Sequence, residues 1–260
     1  MNIWFTLCQK ELHASKIWIT IHALIFTLTS IFVVILPSSS VKLVIYFSFL
    51  VIHLVYLGIW AIYSVLKEWR GNTATHWLNL PHHGFLLLSA KMFTGYLLLI
   101  ISFILGHFIS IFAWKLSPGL ITNLFGFSIR QENWGSYFYD WLVHHSVEII
   151  LFVLTTSLST GFLILCAVLL AKSVEKNHFL AGFGFFLAAG IIKPLFISNP
   201  VQTITEWGNI SSNHQELASF VQTFGGLASS FYIGNLMIEI LFTLLFIWIS
   251  SKLLDQYVQA

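Results

Sequence analysis

Six stretches of this chain are long and apolar enough to cross a lipid bilayer, which needs roughly 20 such residues in a helix. They run from Lys16 to Leu36, Val41 to Leu66, Ala90 to Leu116, Ser146 to Ala171, Phe179 to Ile197 and Phe231 to Lys252. In hydrocarbon every backbone N–H and C=O must be satisfied within the protein, so such stretches become helices. A water-soluble fold would need charge to cover it, and this sequence has little. Of 260 residues 12 are Lys or Arg and 10 are Asp or Glu, while 57% are apolar. Soluble domains carry about a quarter charged residues. The expectation is an all-α polytopic membrane protein, with residues 1–260 forming one transmembrane domain.

The charges set an expected orientation. Short loops rich in Lys and Arg stay in the cytoplasm. Lys10, Lys16, Lys67, Arg70, Lys91, Lys172, Lys176 and Lys252 fall on one side of a six-span chain. Lys42, Lys115 and Arg130 fall on the other, and Lys193 lies within the fifth span. Both termini are therefore expected in the cytoplasm of a cell whose plasma membrane holds the protein. The extracellular side then receives two longer polar segments, 117–145 and 199–230. Trp114, Trp134, Trp141 and Trp207 lie where an interfacial aromatic belt would sit. Pro37 to Ser40 makes a short connection between the first two spans, which predicts an antiparallel pair. The N-terminus shows no cleavable signal pattern, because Lys10 follows an apolar stretch rather than preceding one.

Residues 1–15 are too short to span. Asn2, Thr6, Gln9, Lys10 and His13 recur at helical spacing on one face, while Ile3, Trp4, Phe5, Leu7, Cys8 and Leu12 fill the rest. This reads as a helix lying in the membrane interface. The alternative, an extended start to the first span, would carry Lys10, Glu11 and Lys16 into hydrocarbon. Cys8 and Cys166 sit far apart in apolar sequence and read as packing residues rather than a disulfide.

The longest polar interruption of the first half runs from Lys67 to Pro81 and, with its approach to the third span, covers 67–90. Lys67, Glu68 and Arg70 stand at the membrane exit of the second span. Thr73 and Thr75 are candidate caps for a short helix holding Trp77, Leu78 and Leu80. Pro81 ends that helix, since the residue before proline is pushed from helical angles. Such a helix on the ends of two rigid spans could dock in a groove of a soluble partner. It could equally be an interfacial loop anchored by Trp69 and Trp77.

The run Lys67, Glu68, Trp69, Arg70, Thr73, Trp77, Leu78, Leu80, Pro81 and Lys91, together with the short first helix and six spans, resembles the ABC-2 type permeases. These are the transmembrane subunits of one class of ATP-binding-cassette exporters, with a type V exporter-like architecture. The resemblance implies that residues 1–15 are an elbow helix and that 67–90 is the coupling loop touching an ATP-binding-cassette ATPase subunit. Glu68, Trp69, Arg70, Thr73, Trp77, Leu78 and Pro81 would form that contact. A second permease copy or a paralogous permease would complete the pathway. ATP and Mg would be bound by the partner, since this chain has no Gly-Lys pair and hence no P-loop; it is expected to be no enzyme itself. The size and aromatic content are most similar to Gram-positive exporters of amphipathic peptides, acting in toxin export or antimicrobial-peptide immunity. No nucleic-acid partner is expected.

Lys193 and Glu239 fall inside the fifth and sixth spans, where charge is costly and usually faces the protein interior. At similar depth they would pair. They could fasten two helices, or line a transport path as an intramembrane polar site; Lys193 could also reach to the interface. Eleven histidines form no His-Glu-x-x-His run, and His82-His83 and His144-His145 point to different helix faces, so no metal is expected. His22, His53 and His107 are candidates for interhelical hydrogen bonds. Small residues around Gly182, Gly184 and Gly190 allow close helix packing, within the subunit or with a second copy. A gradient-driven secondary transporter and an exporter of lipids or drugs are the alternative functions.

Overall fold

A computed structural model of the protein describes residues 3–35, 39–70, 84–115, 134–174, 176–197 and 233–255. Among them, all regular structure is helical. The elements are α1 (Ile3–Ala14), α2 (Lys16–Ile35), α3 (Ser39–Arg70), α4 (Gly84–Lys115), α5 (Trp134–His144), α6 (Ser146–Ser173), α7 (His178–Ile197) and α8 (Ile233–Leu253). The polar segments 71–83, 117–133 and 199–230, with Trp207, lie outside the described residues.

Helix is the state these residues choose because it hides their polar groups. Thr20, Thr27, Thr29, Ser48, Thr94, Ser110, Thr155 and Thr243 each donate a hydroxyl proton to the carbonyl four residues earlier. A hydroxyl satisfied in this way needs no water. Large apolar side chains cover the outside of the bundle, among them Leu24 on α2, Phe112 on α4 and Leu241 on α8. A water-soluble monomer does not present so much exposed hydrocarbon. The chain is embedded in a membrane.

Four helical stretches are long and apolar enough to cross one: Val44–Glu68, Gly84–Lys115, Ser146–Ser173 and Ile233–Leu253. The expected first span passes this test only together with α1, from which it is bent by 63°. The break falls at the buried Ser15, whose N–H reaches back to the Leu12 carbonyl at 3.3 Å. The apolar stretch His178–Lys193 of α7 is shorter than a full crossing. Length and composition thus give four or five spans where six were expected.

The helices pack in two groups. α3 and α4 are antiparallel, in a register set by Lys42 on the Ala113 carbonyl, Tyr46 on His107, His53 on Ser102 and Trp60 on the Lys91 carbonyl. Gly95 lets the Trp60 indole lie directly on α4, because a Cβ there would come within 2.4 Å of the ring. α6 is the central strut. It meets α3 where Leu57 covers Gly161, α7 where Gly182 faces the Ala167 carbonyl, and α8 where Cys166 reaches Ser250. Gly184 and Gly190 have nothing near them, so only Gly182 serves packing within the subunit.

One element was not anticipated. α5 lies in a stretch read as polar extracellular sequence, yet its Phe138 and Leu142 are buried against Tyr46 and Trp114. Trp114 is accordingly 8% exposed and packs on Phe138 with ring centroids 4.9 Å apart. It faces the bundle rather than an interfacial belt.

Candidate functional site

At the end of the bundle where α3 finishes and α4 begins, three charged side chains from three helices converge. Lys91, two turns into α4, places its Nζ 2.5 Å from Glu11 Oε1 on α1 and 3.2 Å from Glu68 Oε1 on α3. The lysine and both carboxylates are nearly withdrawn from solvent, with side chains 3%, 8% and 12% exposed. Charges this buried persist only when paired and hydrogen-bonded. One ammonium holding two carboxylates from two helices ties α1, α3 and α4 together, since moving α1 or α3 breaks a buried charged contact.

The surroundings hold the junction still. Trp4 donates its indole N–H to Ser89 Oγ at 3.1 Å and packs on Phe93, laying α1 across the start of α4. Cys8 is buried beside Ala90. Lys67 donates to the Ala14 carbonyl, satisfying one of the orphan acceptors at the end of α1, and its ammonium lies 5.7 Å over the Tyr63 ring. From the far end of the chain, Asp255 Oδ1 accepts the Gly84 N–H at 2.7 Å and so caps α4, while Leu254 is fully buried. Gly84 is required there, because a Cβ would meet that carboxylate at 2.7 Å. Residues 71–83 thus leave from one anchored point, Glu68, and return to another, Gly84.

The residues singled out from the sequence divide three ways. Glu68 is in the junction. Trp69 and Arg70 close α3. Thr73, Thr75, Trp77, Leu78, Leu80 and Pro81 lie outside the described residues. Lys193 and Glu239 do come together, with Nζ 2.8 Å from Oε2. Glu239 Oε2 is out of hydrogen-bonding alignment, and the aligned bond of Lys193 goes to Ser159 Oγ on α6 at 3.0 Å. This pair links α6, α7 and α8.

Sequence reasoning missed Glu11, Lys91 and Asp255 as partners. Lys91 was read as a cation at the approach to the third span and Glu11 as a charge too costly to enter hydrocarbon; the structure pairs them, and Lys91 is 2% exposed. The usable signal was that acids are scarce in this chain, so each one beside an apolar run needs a cation. Glu148, in the first turn of α6, is also buried and pairs with His145 at 2.5 Å. Of the three intramembrane histidines, His53 bonds the Phe49 carbonyl and Ser102, and His107 bonds Tyr46. Among the described residues His22 makes ring contacts, with Tyr56 and His53, and no hydrogen bond. Among the described residues no three His, Cys, Asp or Glu side chains converge as a metal site. No protein-family model, curated protein or solved structure matches this chain.

Proposed function

We propose that this protein is the permease subunit of an ATP-driven exporter of the ABC-2 type, carrying amphipathic or hydrophobic peptides out of the cell. A separate ATP-binding subunit, holding ATP and Mg, would dock on the segment between α3 and α4. The observation that carries this reading is the anchoring of both flanks of that segment. Glu68 is locked to Lys91 and Glu11 on one side, and Gly84 to Asp255 on the other. A push delivered between two such points moves α1, α3, α4 and α8 together instead of deforming a slack loop. Those four helices include three of the long apolar crossings.

In this reading α1 is the elbow helix, α2 and α7 complete six spans, both termini are cytoplasmic, and 117–145 and 199–230 face outward. A second copy of the chain, or a related permease, completes the path through the plasma membrane. The Lys193–Glu239 pair favours one rival, a gradient-driven transporter with a charged site in the membrane. Its 2.8 Å contact and serine partner suit a fastener between helices better than a site that must load and empty.

The test is co-purification from native membranes. The wild-type chain is expected to retain an ATP-binding-cassette subunit, and a folded variant with Glu68→Lys and Trp77→Ala to lose it. Recovery of the ATPase with neither form would overturn the proposal.

A further inference from the structure

Between α2 and α3, on the outside of the bundle, runs a cavity of about 110 Å³ whose walls are almost wholly apolar. Trp18 and Ile59 stand at one end, and Thr29 and Phe49 at the other. The eleven steps from Trp18 to Thr29 rise about 16 Å along the helix, so the cavity is a groove rather than a ball. Ile21, Ile25, Ile52 and Ile59 form its rim and are exposed on the lipid-facing surface. An apolar cavity of comparable volume accepts a benzene-sized hydrocarbon rather than water.

Two wall groups do not fit hydrocarbon: His22, and the Tyr56 hydroxyl, which is buried without a hydrogen-bond partner among the described residues. His22 lines the groove, and its ring sits edge-on to Tyr56 at 4.4 Å and to His53 at 5.6 Å. Among the described residues it has no hydrogen-bond partner. His53, beside it, spends both ring nitrogens on Phe49 and Ser102. A neutral imidazole carries one N–H donor, and leaving it unsatisfied in an apolar medium costs on the order of a few kcal/mol. The groove should therefore receive something apolar along its length and hydrogen-bond-accepting at one point.

The position of His22 identifies that point. Lys16 is the last cation before the apolar run, and His22 lies six residues further, about 9 Å along the axis. Side chains on a helix lean toward its N-terminus, here toward Lys16. The imidazole therefore lies just beneath the headgroup region, where the ester carbonyls of a glycerolipid meet its acyl chains. We propose that the α2–α3 groove holds one acyl chain of a bilayer diacyl glycerolipid, whose ester carbonyl accepts the His22 N–H. The chain would fill the space between Ile25 and Ile52 and join α2 to α3 where their own side chains leave a gap. This inference needs only that the protein is embedded in a membrane, and stands or falls apart from the exporter reading.

The test is native mass spectrometry of the full-length protein, titrated with a palmitoyl-oleoyl phosphatidylglycerol or with its diether analogue, which lacks both ester carbonyls. The wild type should bind one diester molecule at least tenfold more tightly than the diether. His22→Phe keeps an aromatic ring against Tyr56 and should bind the two lipids equally. Ile25→Phe narrows the groove and should weaken both. Equal affinity for diester and diether in the wild type, an undiminished preference in His22→Phe, or unchanged binding in Ile25→Phe would each overturn the proposal. So would recovery of a bound peptide in place of the lipid.

Discussion

The Lys91 and Lys193 clusters use the same chemistry at different depths of the bundle, and the number of carboxylates each lysine meets separates them. Lys193 meets one carboxylate, Glu239, and one hydroxyl, Ser159. Its charge is balanced, and the arrangement can be a fastener between α6, α7 and α8. Lys91 meets two carboxylates, on α1 and α3. Its charge is shared, and each acid leads to a different element. A balanced pair can be exchanged for hydrocarbon with little consequence. Loss of a shared cation breaks contacts to two elements at once. That difference marks the Lys91 end as the place where the relative positions of helices are controlled, and the Lys193 end as one where they are held.

The largest expected effect is that of Lys91→Met. Removing one member of a buried charge pair costs about 3–5 kcal/mol, and Lys91 makes two such contacts. Thermal unfolding in detergent should place this variant below every other single substitution described here. A smaller loss than that of Lys193→Met would break the comparison.

Lys193→Met alone should also destabilise strongly, because Glu239 is left buried. The informative variant is the double one. Lys193→Met with Glu239→Leu replaces the pair by hydrocarbon and should return stability to within about 1 kcal/mol of wild type. Failure to recover would mean that the second cluster is a junction too.

Glycine substitutions sharpen the same half of the comparison, since α7 carries both Lys193 and Gly182. Gly182→Ala drives a methyl group to 2.6 Å from the Ala167 carbonyl oxygen, and such overpacking costs about 1–3 kcal/mol. Gly184→Ala meets nothing and should be neutral or stabilising by up to about 1 kcal/mol. Unfolding midpoints of the two variants should move in opposite directions, or only the first should move.

A small loss is expected of Asp255→Ala, which removes the cap on α4. Loss of an N-cap costs about 1 kcal/mol. Hydrogen exchange at Gly84 and Phe85 should rise while the centre of α4 keeps its protection.

What the sequence could and could not reveal follows from how local each signal is. Apolar runs report on themselves, so the positions of α2, α3, α4, α6, α7 and α8 were readable within a few residues. The pairing of Lys193 with Glu239 was readable because both lie inside apolar runs, where a lone charge is untenable. Glu11 and Lys91 stand at the edges of such runs, where water is the default partner; only the fold shows that α1 covers them. α5 was hidden because Trp134 to His144 mixes aromatic and polar residues in a stretch flanked by polar sequence. Its helical form depends on Tyr46 and Trp114, which are distant in the chain. The count of six spans rests on α2 and α7, since α2 passes the length test only together with α1 and the apolar stretch of α7 is short among the described residues.

The most direct test of the account compares two stability-restored proteins. One carries Lys91→Met, Glu11→Leu and Glu68→Leu; the other carries Lys193→Met and Glu239→Leu. Each is purified from native membranes and assayed for vanadate-sensitive ATPase activity retained on the chain. The account predicts activity near wild type with the second protein and little or none with the first. Full activity with the first protein, or its loss only with the second, would contradict it.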